Sequence, residues 1–347
     1  MKPSITALVD TYNQDRYIEQ ALVSVIEQDL PASEFEIIVV DDGSTDKTSS
    51  IVRKFLPRIR YLRKNNGGQA SAFNAGFAEV KSDIVSLLDG DDWWAKGKIA
   101  TVLHHLDRNP SDLAVSHAYY EVHEDAEKTQ RCGPKEQPEF LDLSTPEAAR
   151  KTKERWNFLQ PSALTVRRQL WERVIPIPEA LIFCADSPIV TAAMAVGVKV
   201  LPQELSFYRI HPDNLYAGEF EEPVRLRRKL KMDEVMFSIL YPRLVGLGVN
   251  AGCVSALLDQ VWIESNRRSL RTFGGSHLKT WRTEMRNFSA TYKSPTFTYR
   301  LFKYLVMSPA TLLLPPKLFY KAQDWYAVNN LKRFRERLFK TDKTTPR

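Results

Sequence analysis

Short apolar runs alternate with helix-like segments through the first hundred residues, and this alternation constrains the fold more than any other feature of the chain. The strand-like runs lie near Ser4–Val9, Glu36–Val40, Ile59–Arg63 and Ile84–Leu88. Helical patterns fit between them at about Asp15–Gln28, Lys47–Phe55 and Gly68–Val80. Alternation of this kind is typical of βα units that feed a buried, mostly parallel sheet. The sequence therefore predicts an α/β fold with a doubly wound sheet and helices on both faces.

The regularity weakens after residue 100, although further elements are recognisable. Strands are expected near 113–122, 162–166, 198–201 and 205–210, and helices near 169–174 and 187–195. Residues 124–146 are polar and contain three prolines, so we expect a long loop there. From about residue 222 the pattern becomes helical and basic. We predict one domain at 1–222, with halves at 1–100 and 101–222, and a mainly helical basic extension at 223–347.

The net charge of +7 conceals a division along the chain. Residues 1–222 carry 25 Lys and Arg against 34 Asp and Glu, a net charge of −9, whereas residues 223–347 carry 24 against 8, a net charge of +16. Between Leu301 and Tyr320 the extension is strongly apolar, but two lysines and three prolines interrupt that stretch. It falls short of the about 20 uninterrupted apolar residues that span a bilayer.

Basic and aromatic residues are mixed towards the end of the extension, where Lys332, Arg333, Arg335 and Arg337 follow Trp325. Such mixing beside a proline-broken apolar segment favours a helix that lies in an anionic membrane interface. A solvated helical face is the alternative. A nucleic-acid patch is disfavoured because no nucleic-acid-binding motif is present. We expect contact with a membrane surface through 223–347 and no nucleic-acid partner.

The spacing of the cysteines and the first residues of the sequence indicate in which cellular compartment the protein is expected. Cys132, Cys184 and Cys253 are far apart and lack the paired spacing of zinc or redox sites. Residues Met1–Ser4 run into a strand-like segment without the charged and then apolar leader of a secretory signal. We expect a cytoplasmic protein, peripheral at the inner face of the cell membrane.

Two predicted strands end in carboxylates, and this is the feature that indicates chemistry. The strand at Ile84–Leu88 runs into an Asp-Gly-Asp-Asp turn that begins at Asp89, and the second strand runs into an Asp-Asp pair that begins at Asp41. In open α/β sheets ligands bind outside the carboxyl ends of the strands, so both acidic groups would face one crevice. They could hold a divalent cation there, and the cation could hold a diphosphate. The alternative is a pair of solvated turns.

Four short motifs stand in order within residues 10–92. They are Asp10-Thr11-Tyr12-Asn13, Asp41-Asp42-Gly43-Ser44, Asn74-Ala75-Gly76 and Asp89-Gly90-Asp91-Asp92. Each is weak by itself, but the ordered set resembles a family 2 glycosyltransferase of the GT-A fold. The resemblance covers about residues 1–215. One departure is Phe73, where many members have Arg.

The resemblance implies a nucleotide-diphospho-sugar donor and assigns residues to it. Asp42 would read the edge of the base, and Asp89 would approach the ribose. The backbone at Asn66 and Gly68 would come close to the nucleotide at a helix N-terminus. The residues implied to bind the nucleotide are Asp10, Thr11, Asp42, Asn66, Gly68 and Asp89.

The resemblance also implies Mg2+ or Mn2+ at Asp91 and Asp92, which would offset the charge that builds on the leaving diphosphate. Which of the two aspartates binds the ion directly is open at this point. His211 would complete the metal shell or contact the diphosphate. The alternative for this histidine is a surface or core position.

A single acidic residue, Asp186, stands before a predicted helix, where family members commonly carry an acidic pair whose second residue is the catalytic base. Ala185 replaces the usual Glu. A carboxylate is needed there because a sugar hydroxyl must lose its proton as it attacks the anomeric carbon. A helix cap is the alternative role of Asp186, and the two roles are compatible.

These features predict an inverting glycosyltransferase that moves a sugar, by family resemblance from a UDP-sugar, to an acceptor hydroxyl. We expect a carbohydrate or lipid-linked acceptor in bacterial-type cell-surface polysaccharide or glycolipid synthesis. A nucleotidyltransferase is one rival, although Asp10-Thr11-Tyr12-Asn13 occupies the turn where a glycine-rich basic loop would favour it. A non-catalytic sugar-nucleotide-binding membrane adaptor is the other, and the absence of a Glu beside Asp186 is its best argument.

Overall fold

The computed structural model describes residues 4–31, 33–123, 129–181, 184–212, 214, 223–291, 305 and 308–328. The chain divides into two compact units. The first comprises Met1–Glu219 with Glu234–Leu257, and the second comprises Phe220–Asp233 with Leu258–Arg347. The predicted boundary at residue 222 and the basic residues at 332–337 lie outside the described residues. The division into domains at that boundary stays a prediction.

A ten-stranded mixed sheet forms the centre of the described part of the first unit. Its strands are β1 (Ile5–Thr11), β2 (Phe35–Asp41), β3 (Arg60–Arg63), β4 (Ile84–Asp89), β5 (Trp93–Trp94), β6 (Ala114–His123), β7 (Thr129–Cys132), β8 (Glu139–Leu141), β9 (Thr165–Arg167) and β10 (Val198–Ile210). They lie in the order β3-β2-β1-β4-β9-β6-β10-β5, with β7 on β6 and β8 on β10. β1 is parallel to β2 and β4, and β2 is parallel to β3. The parallel half predicted from the sequence is confirmed.

Helices lie on both sides of this sheet, as predicted. They are α1 (Ile18–Ile26), α2 (Thr48–Arg53), α3 (Gln69–Glu79), α4 (Lys98–Arg108), α5 (Pro146–Glu154), α6 (Arg168–Trp171) and α7 (Ser187–Val196). All seven residues of β1 are buried, which explains why the strand reads as a continuous apolar run. α3 approaches the sheet closely at Gly76, where a Cβ would lie 2.4 Å from Leu8 Cδ1. Phe73 of the same helix is fully buried and packs edge-on against Trp171.

The second half of the sheet corrects several expectations. β9 is antiparallel to both β4 and β6, whereas β10 is parallel to β6. The loop predicted at 124–146 is wrong at β7 and β8, which are short strands that pair with the longer strands β6 and β10. Their length gives too few alternating positions to reveal a strand pattern. The strands predicted at 198–201 and 205–210 are one continuous strand, β10, with irregular register near Leu201 and Glu204.

Long helices follow, as predicted for the extension: α8 (Pro223–Gly246), α9 (Ala251–Phe273), α10 (His277–Thr291) and α11 (Pro316–Val328). Within the second unit, Glu284 is buried and accepts hydrogen bonds from Arg267 Nε at 2.7 Å and from the Tyr320 hydroxyl at 3.0 Å. Over the described residues, none of the helices combines the length and the apolar character needed to cross a bilayer.

Candidate active site

Three neighbouring strands bring acidic residues to one edge of the sheet. The register aligns Asp10 of β1 with Asp89 of β4, and Thr11 of β1 with Asp41 of β2. Because these strands are parallel, their carboxyl ends lie at the same edge, where open α/β sheets bind ligands. The acidic groups that the sequence places after different strands therefore lie close together in space.

Asp89, Asp91 and Asp92 form an acidic cluster at the end of β4. One carboxylate oxygen of each lies within 4.8 Å of the others. Asp10 lies beside this cluster, and its Oδ1 is buried without a hydrogen-bond partner among the described residues. Carboxylates this close repel one another unless a proton or a cation intervenes.

Burial and mutual repulsion raise the pKa values in this cluster. Burial raises the pKa of Asp10 to about 7, and the charge of Asp91 adds to the shift. Burial, followed by the charges of Asp10 and the neighbouring aspartates, raises the pKa of Asp89 well above its ordinary value. Burial and then Asp91 do the same to the pKa of Asp92. A divalent ion with oxygen ligands would relieve this repulsion, so the residues present fit such an ion.

Asp91 and Asp92 differ in how the protein holds them. Asp92 is 1% exposed, and its two oxygens accept hydrogen bonds from Ser162 Oγ at 2.6 Å and from the backbone N–H of Arg209 at 2.8 Å. The Asp91 side chain is 13% exposed, and its Oδ2 lies 3.1 Å from His211 Nε2. The structure therefore brings the predicted His211 to the acidic cluster. Asp92 anchors the turn, and Asp91 is the more available of the two to a ligand.

Asp42 fixes the loop that precedes α3. Its Oδ1 accepts hydrogen bonds from Lys64 Nζ at 2.6 Å and from the Gly67 N–H at 3.0 Å, and its Oδ2 accepts from the Gly68 N–H at 2.7 Å. Gly68 has a φ of +84°, which favours glycine at this start of the helix. The predicted residue Asn66 is exposed in the same loop. Asp42 is thus hydrogen-bonded to Gly67 and Gly68 in the loop between β3 and α3.

The neighbouring Asp41 has a structural role that the sequence did not indicate. It is fully buried and accepts hydrogen bonds from the Ser44 N–H at 2.7 Å, from Ser49 Oγ at 2.6 Å and from the Tyr61 hydroxyl at 2.6 Å. Burial alone would raise the pKa of Asp41, but these hydrogen bonds outweigh it and lower the pKa. Asp41 therefore stays ionised and fixes the turn after β2.

Asp186 occupies the N-cap position of α7, yet within the described residues its side chain makes no capping hydrogen bond to that helix. Burial raises the pKa of Asp186 to about 6, against the lowering effect of its own amide and that of Ser187. Its charge contributes in turn to the raised pKa of Asp89. Asp186 therefore lies near the acidic cluster, with a pKa suited to a general base at neutral pH.

Arg209 holds the acidic turn from the side of β10. Its guanidinium lies between two aromatic rings, 4.8 Å from the centroid of Tyr17 and 4.5 Å from that of Trp93. Its Nε donates to the backbone carbonyl of Asp91 at 2.8 Å, and its Nη2 donates to Gln20 Oε1 at 2.6 Å. The turn is thereby joined to α1 and β10.

An aromatic ladder continues from Arg209 across the sheet. The rings of Trp93 and Phe207 stack with centroids 4.9 Å apart and planes 7° apart, and Tyr120 follows Phe207 at 6.0 Å and 19°. These rings cover one another's faces, so they stabilise the pairing of β5, β10 and β6. They have little face left on which a sugar could stack.

Gly90, the middle residue of the Asp-Gly-Asp turn, packs directly on the end of β1. Its N–H donates to the Asp10 carbonyl at 2.9 Å. A Cβ at this position would lie 2.4 Å from Gln14 Oε1 and 2.9 Å from Thr11 Cβ. The same Gln14 oxygen accepts a hydrogen bond from Thr11 Oγ1 at 2.8 Å. The predicted residue Thr11, which is buried, is therefore in contact with this turn.

Two further residues contact the acidic cluster, although the sequence motifs did not identify them as site residues. Gln69, the first residue of α3, donates from Nε2 to Asp89 Oδ1 at 3.2 Å. Ser162 contacts Asp92 through its hydroxyl and accepts a hydrogen bond from the Asp89 N–H at 3.2 Å. Gln69 follows the paired glycines directly, a position that could have marked it. Ser162 carries no comparable signal.

Lys98 is a buried amine beneath this region. Its Nζ donates to Ser86 Oγ at 2.7 Å and lies 3.6 Å from the ring centroid of Trp94. Burial holds the pKa of Lys98 well below its usual range. No carboxylate in the described part of the chain pairs with it. Lys98 therefore joins β4 to β5 as a buried hydrogen-bond donor, and its burial favours the uncharged amine.

Residues 6–174 match the sequence model of the family described as Glycosyl transferase family 2. An uncharacterised glycosyltransferase of Nostoc sp. is 32% identical over 229 residues, which cover 60% of this chain and 66% of that protein. The chain therefore spans slightly less than two thirds of the length of this relative.

Two solved structures share the fold. Staphylococcus aureus TarS 1–349 in complex with UDP-GlcNAc has a TM-score of 0.53 at 20% identity, covering 87% of this chain and 92% of that one. The mannosyltransferase PcManGT of Pyrobaculum calidifontis, in complex with GDP-Man and Mn2+, has a TM-score of 0.50 at 18% identity, covering 99% and 89%. At these identities the likeness shows the GT-A fold alone. Together with the sequence match and the ordered motifs, it shows that the chain belongs to glycosyltransferase family 2.

Proposed function

We propose that the protein is an inverting glycosyltransferase that moves a sugar from a nucleotide-diphospho-sugar to an acceptor hydroxyl. One observation carries the proposal: an acidic cluster at Asp89 and Asp91 lies near Asp186, a carboxylate whose pKa burial raises to about 6. A single displacement at the anomeric carbon needs both functions, a held leaving group and a base.

We assign the metal site to Asp91 and Asp89, with His211 beside them. Asp92 is a weaker candidate for direct coordination, because both of its oxygens already accept hydrogen bonds from Ser162 and Arg209. When bound, Mg2+ or Mn2+ would offset the charge that builds on the leaving diphosphate. The Mn2+ in the PcManGT structure supports a divalent ion in a protein of this fold.

We place the nucleoside at the ends of β1 and β2, against Asp10, Thr11 and Asp42. The hydrogen bonds from Lys64 and the two glycines orient the Asp42 carboxylate before any donor binds. The Gly67 N–H is shared between the two oxygens, at 3.0 Å from Oδ1 and 3.2 Å from Oδ2, so these donors use most of the about four lone-pair positions of the carboxylate. We propose that a base N–H contacts Asp42 Oδ2 at the position that the weaker Gly67 contact occupies. We propose a UDP-sugar as the donor, which the UDP-GlcNAc complex of TarS supports.

In the proposed reaction, ionised Asp186 accepts the proton of the acceptor hydroxyl as that oxygen attacks the anomeric carbon. The bond between the anomeric carbon and the diphosphate oxygen breaks as the new bond forms, and the configuration inverts. Only one carboxylate is available for this role at this position, because the preceding residue is the buried Ala185. The hydrogen bond of Gln69 to Asp89 would keep that carboxylate in place during the step.

We further propose a carbohydrate or lipid-linked acceptor, in cell-surface polysaccharide or glycolipid synthesis on the cytoplasmic side. TarS, a poly(ribitol-phosphate) β-N-acetylglucosaminyltransferase, is 34% identical over 112 residues, which cover 31% of this chain and 20% of TarS. That relationship supports a surface-polymer acceptor. It leaves the sugar and the linkage to experiment.

The test is a panel of UDP- and GDP-sugars with and without Mn2+, followed first by thermal stabilisation and calorimetry. We expect one donor to bind in a metal-dependent way and to be hydrolysed slowly without acceptor. NMR of the transferred sugar should then show inversion of the anomeric configuration. Retained configuration would contradict the single displacement. Binding without turnover that is unchanged in Asp186→Asn would support the adaptor instead.

A further inference from the structure

A helical segment at residues 308–328 in the second unit presents apolar side chains to solvent. Its residues 308–313 are helical, and a turn joins them to α11. The segment is firmly attached on one side, because Phe319 and Tyr320 are buried against Leu270 of α9. The Trp281 indole N–H donates to Ser308 Oγ at 2.9 Å. The outward side chains are therefore held on a packed scaffold.

The outward side of this segment is unusually apolar for a surface. Leu312 is 45% exposed, Leu313 77%, Leu318 51% and Trp325 61%. Leu318 and Trp325 are seven residues apart and so share one face of α11, while Leu312 and Leu313 directly precede the turn. Large exposed apolar residues grouped in this way mark an interaction surface more often than an ordinary one.

The charges on this side are mainly positive. Lys317 and Lys321 are exposed beside Leu318. The acidic Asp324 is paired with Arg271 at 3.0 Å, so its charge is compensated. Residues 223–347 as a whole carry a net charge of +16. Exposed leucines and a tryptophan flanked by lysines complement a surface that is both apolar and anionic.

We propose that the 308–328 segment docks on an anionic lipid membrane, with Leu312, Leu313, Leu318 and Trp325 entering the boundary between headgroups and acyl chains. Lys317 and Lys321 contact the headgroups. Trp325 suits this boundary because its ring is apolar while its indole N–H is polar. The docking does not depend on the sugar-transfer chemistry of the first unit.

The test is flotation of the full chain with vesicles of phosphatidylcholine alone or mixed with phosphatidylglycerol. Wild type should float with the anionic vesicles, less with neutral ones, and less again at high salt. The double variant Leu313→Ser, Leu318→Ser should lose about tenfold or more of its partitioning. The Lys317→Gln, Lys321→Gln variant should lose the preference for anionic lipid but keep part of the binding.

Leu56→Ser is the matched control, since Leu56 is 47% exposed and lies in the first unit. It should float like wild type, and so should Asp186→Asn, which separates docking from transfer. Failure of wild type to float on anionic vesicles would overturn the proposal, as would equal flotation of the double-serine variant. Light scattering provides a further check: a wild-type dimer that the double-serine variant breaks would assign the surface to a second copy instead.

Discussion

Replacing Asp186 with Asn should greatly slow transfer and at the same time stabilise the folded chain. The substitution keeps the size of the side chain and removes the carboxylate. As the proposed general base, Asp186 would account for about 10²–10⁴-fold of the rate, so kcat should fall by that factor while donor affinity is kept. The gain in stability follows from burial, which raises the pKa of Asp186 from 3.8 to about 6.

The raised pKa means that the folded chain holds the proton more tightly than the unfolded chain does. Below about pH 3 the carboxyl is protonated in both the folded and the unfolded chain, so wild type and variant should be about equally stable. As the pH rises, the unfolded carboxyl ionises first, and wild type loses stability until its own carboxyl ionises near 6. Relative to the variant, wild type should therefore be less stable by about 2 kcal/mol at pH 5 and about 3 kcal/mol at pH 8, upper limits because Asp186 is partly exposed.

Urea unfolding at pH 5 and pH 8, without metal or donor, measures this effect. The stability advantage of Asp186→Asn should widen by about 1 kcal/mol between the two pH values. The transfer rate of wild type should rise with pH through about 6 and then level off, because the base must be ionised. Asp107→Asn, at an exposed position on α4, is the control and should reproduce neither effect. A constant stability difference, or an unchanged kcat, would refute the reasoning.

Three further substitutions test the remaining parts of the site. Asp91→Asn should weaken Mn2+-dependent donor binding by at least about tenfold in calorimetry, and wild-type affinity would remove Asp91 from the metal site. Asp42→Ala should lower the free energy of unfolding by about 1–3 kcal/mol, because it leaves the Gly67 and Gly68 amides without an acceptor and removes one of the two acceptors of Lys64 Nζ; an unchanged urea midpoint would argue against this anchoring role. Lys98→Met should leave the free energy of unfolding within about 1 kcal/mol of wild type or raise it, because methionine fills the space without a buried amine. A loss of more than about 3 kcal/mol would show instead that the amine is charged and paired.

The central strands could be predicted from the sequence because they are buried on both faces. β1, β2 and β4 therefore appear as continuous apolar runs, and their observed ends lie within two residues of the predicted ones. β7 and β8 could not be predicted, since three or four residues on a sheet edge carry no readable alternation. α5 was missed for another reason: it is a mostly polar helix whose start depends on the cap that Thr145 provides.

In the candidate site, too, some features could be predicted from the sequence and others could not. The sequence could identify the acidic residues, because motifs at the ends of parallel strands must meet at one edge. It could not separate Asp91 from Asp92. That distinction depends on Ser162 and Arg209, which lie 70 and 117 residues away along the chain. The spacing of residues within a short motif does not reveal contacts with residues this far away along the chain.

The close contact at Gly90 bears on any attempt to redesign donor preference. Exchanging the Asp-Gly-Asp-Asp turn for one with a bulkier middle residue would push that residue into Gln14 and Thr11. Residues 10–14 and 89–92 consequently cannot be exchanged independently of each other. A successful graft would have to transplant both pieces together.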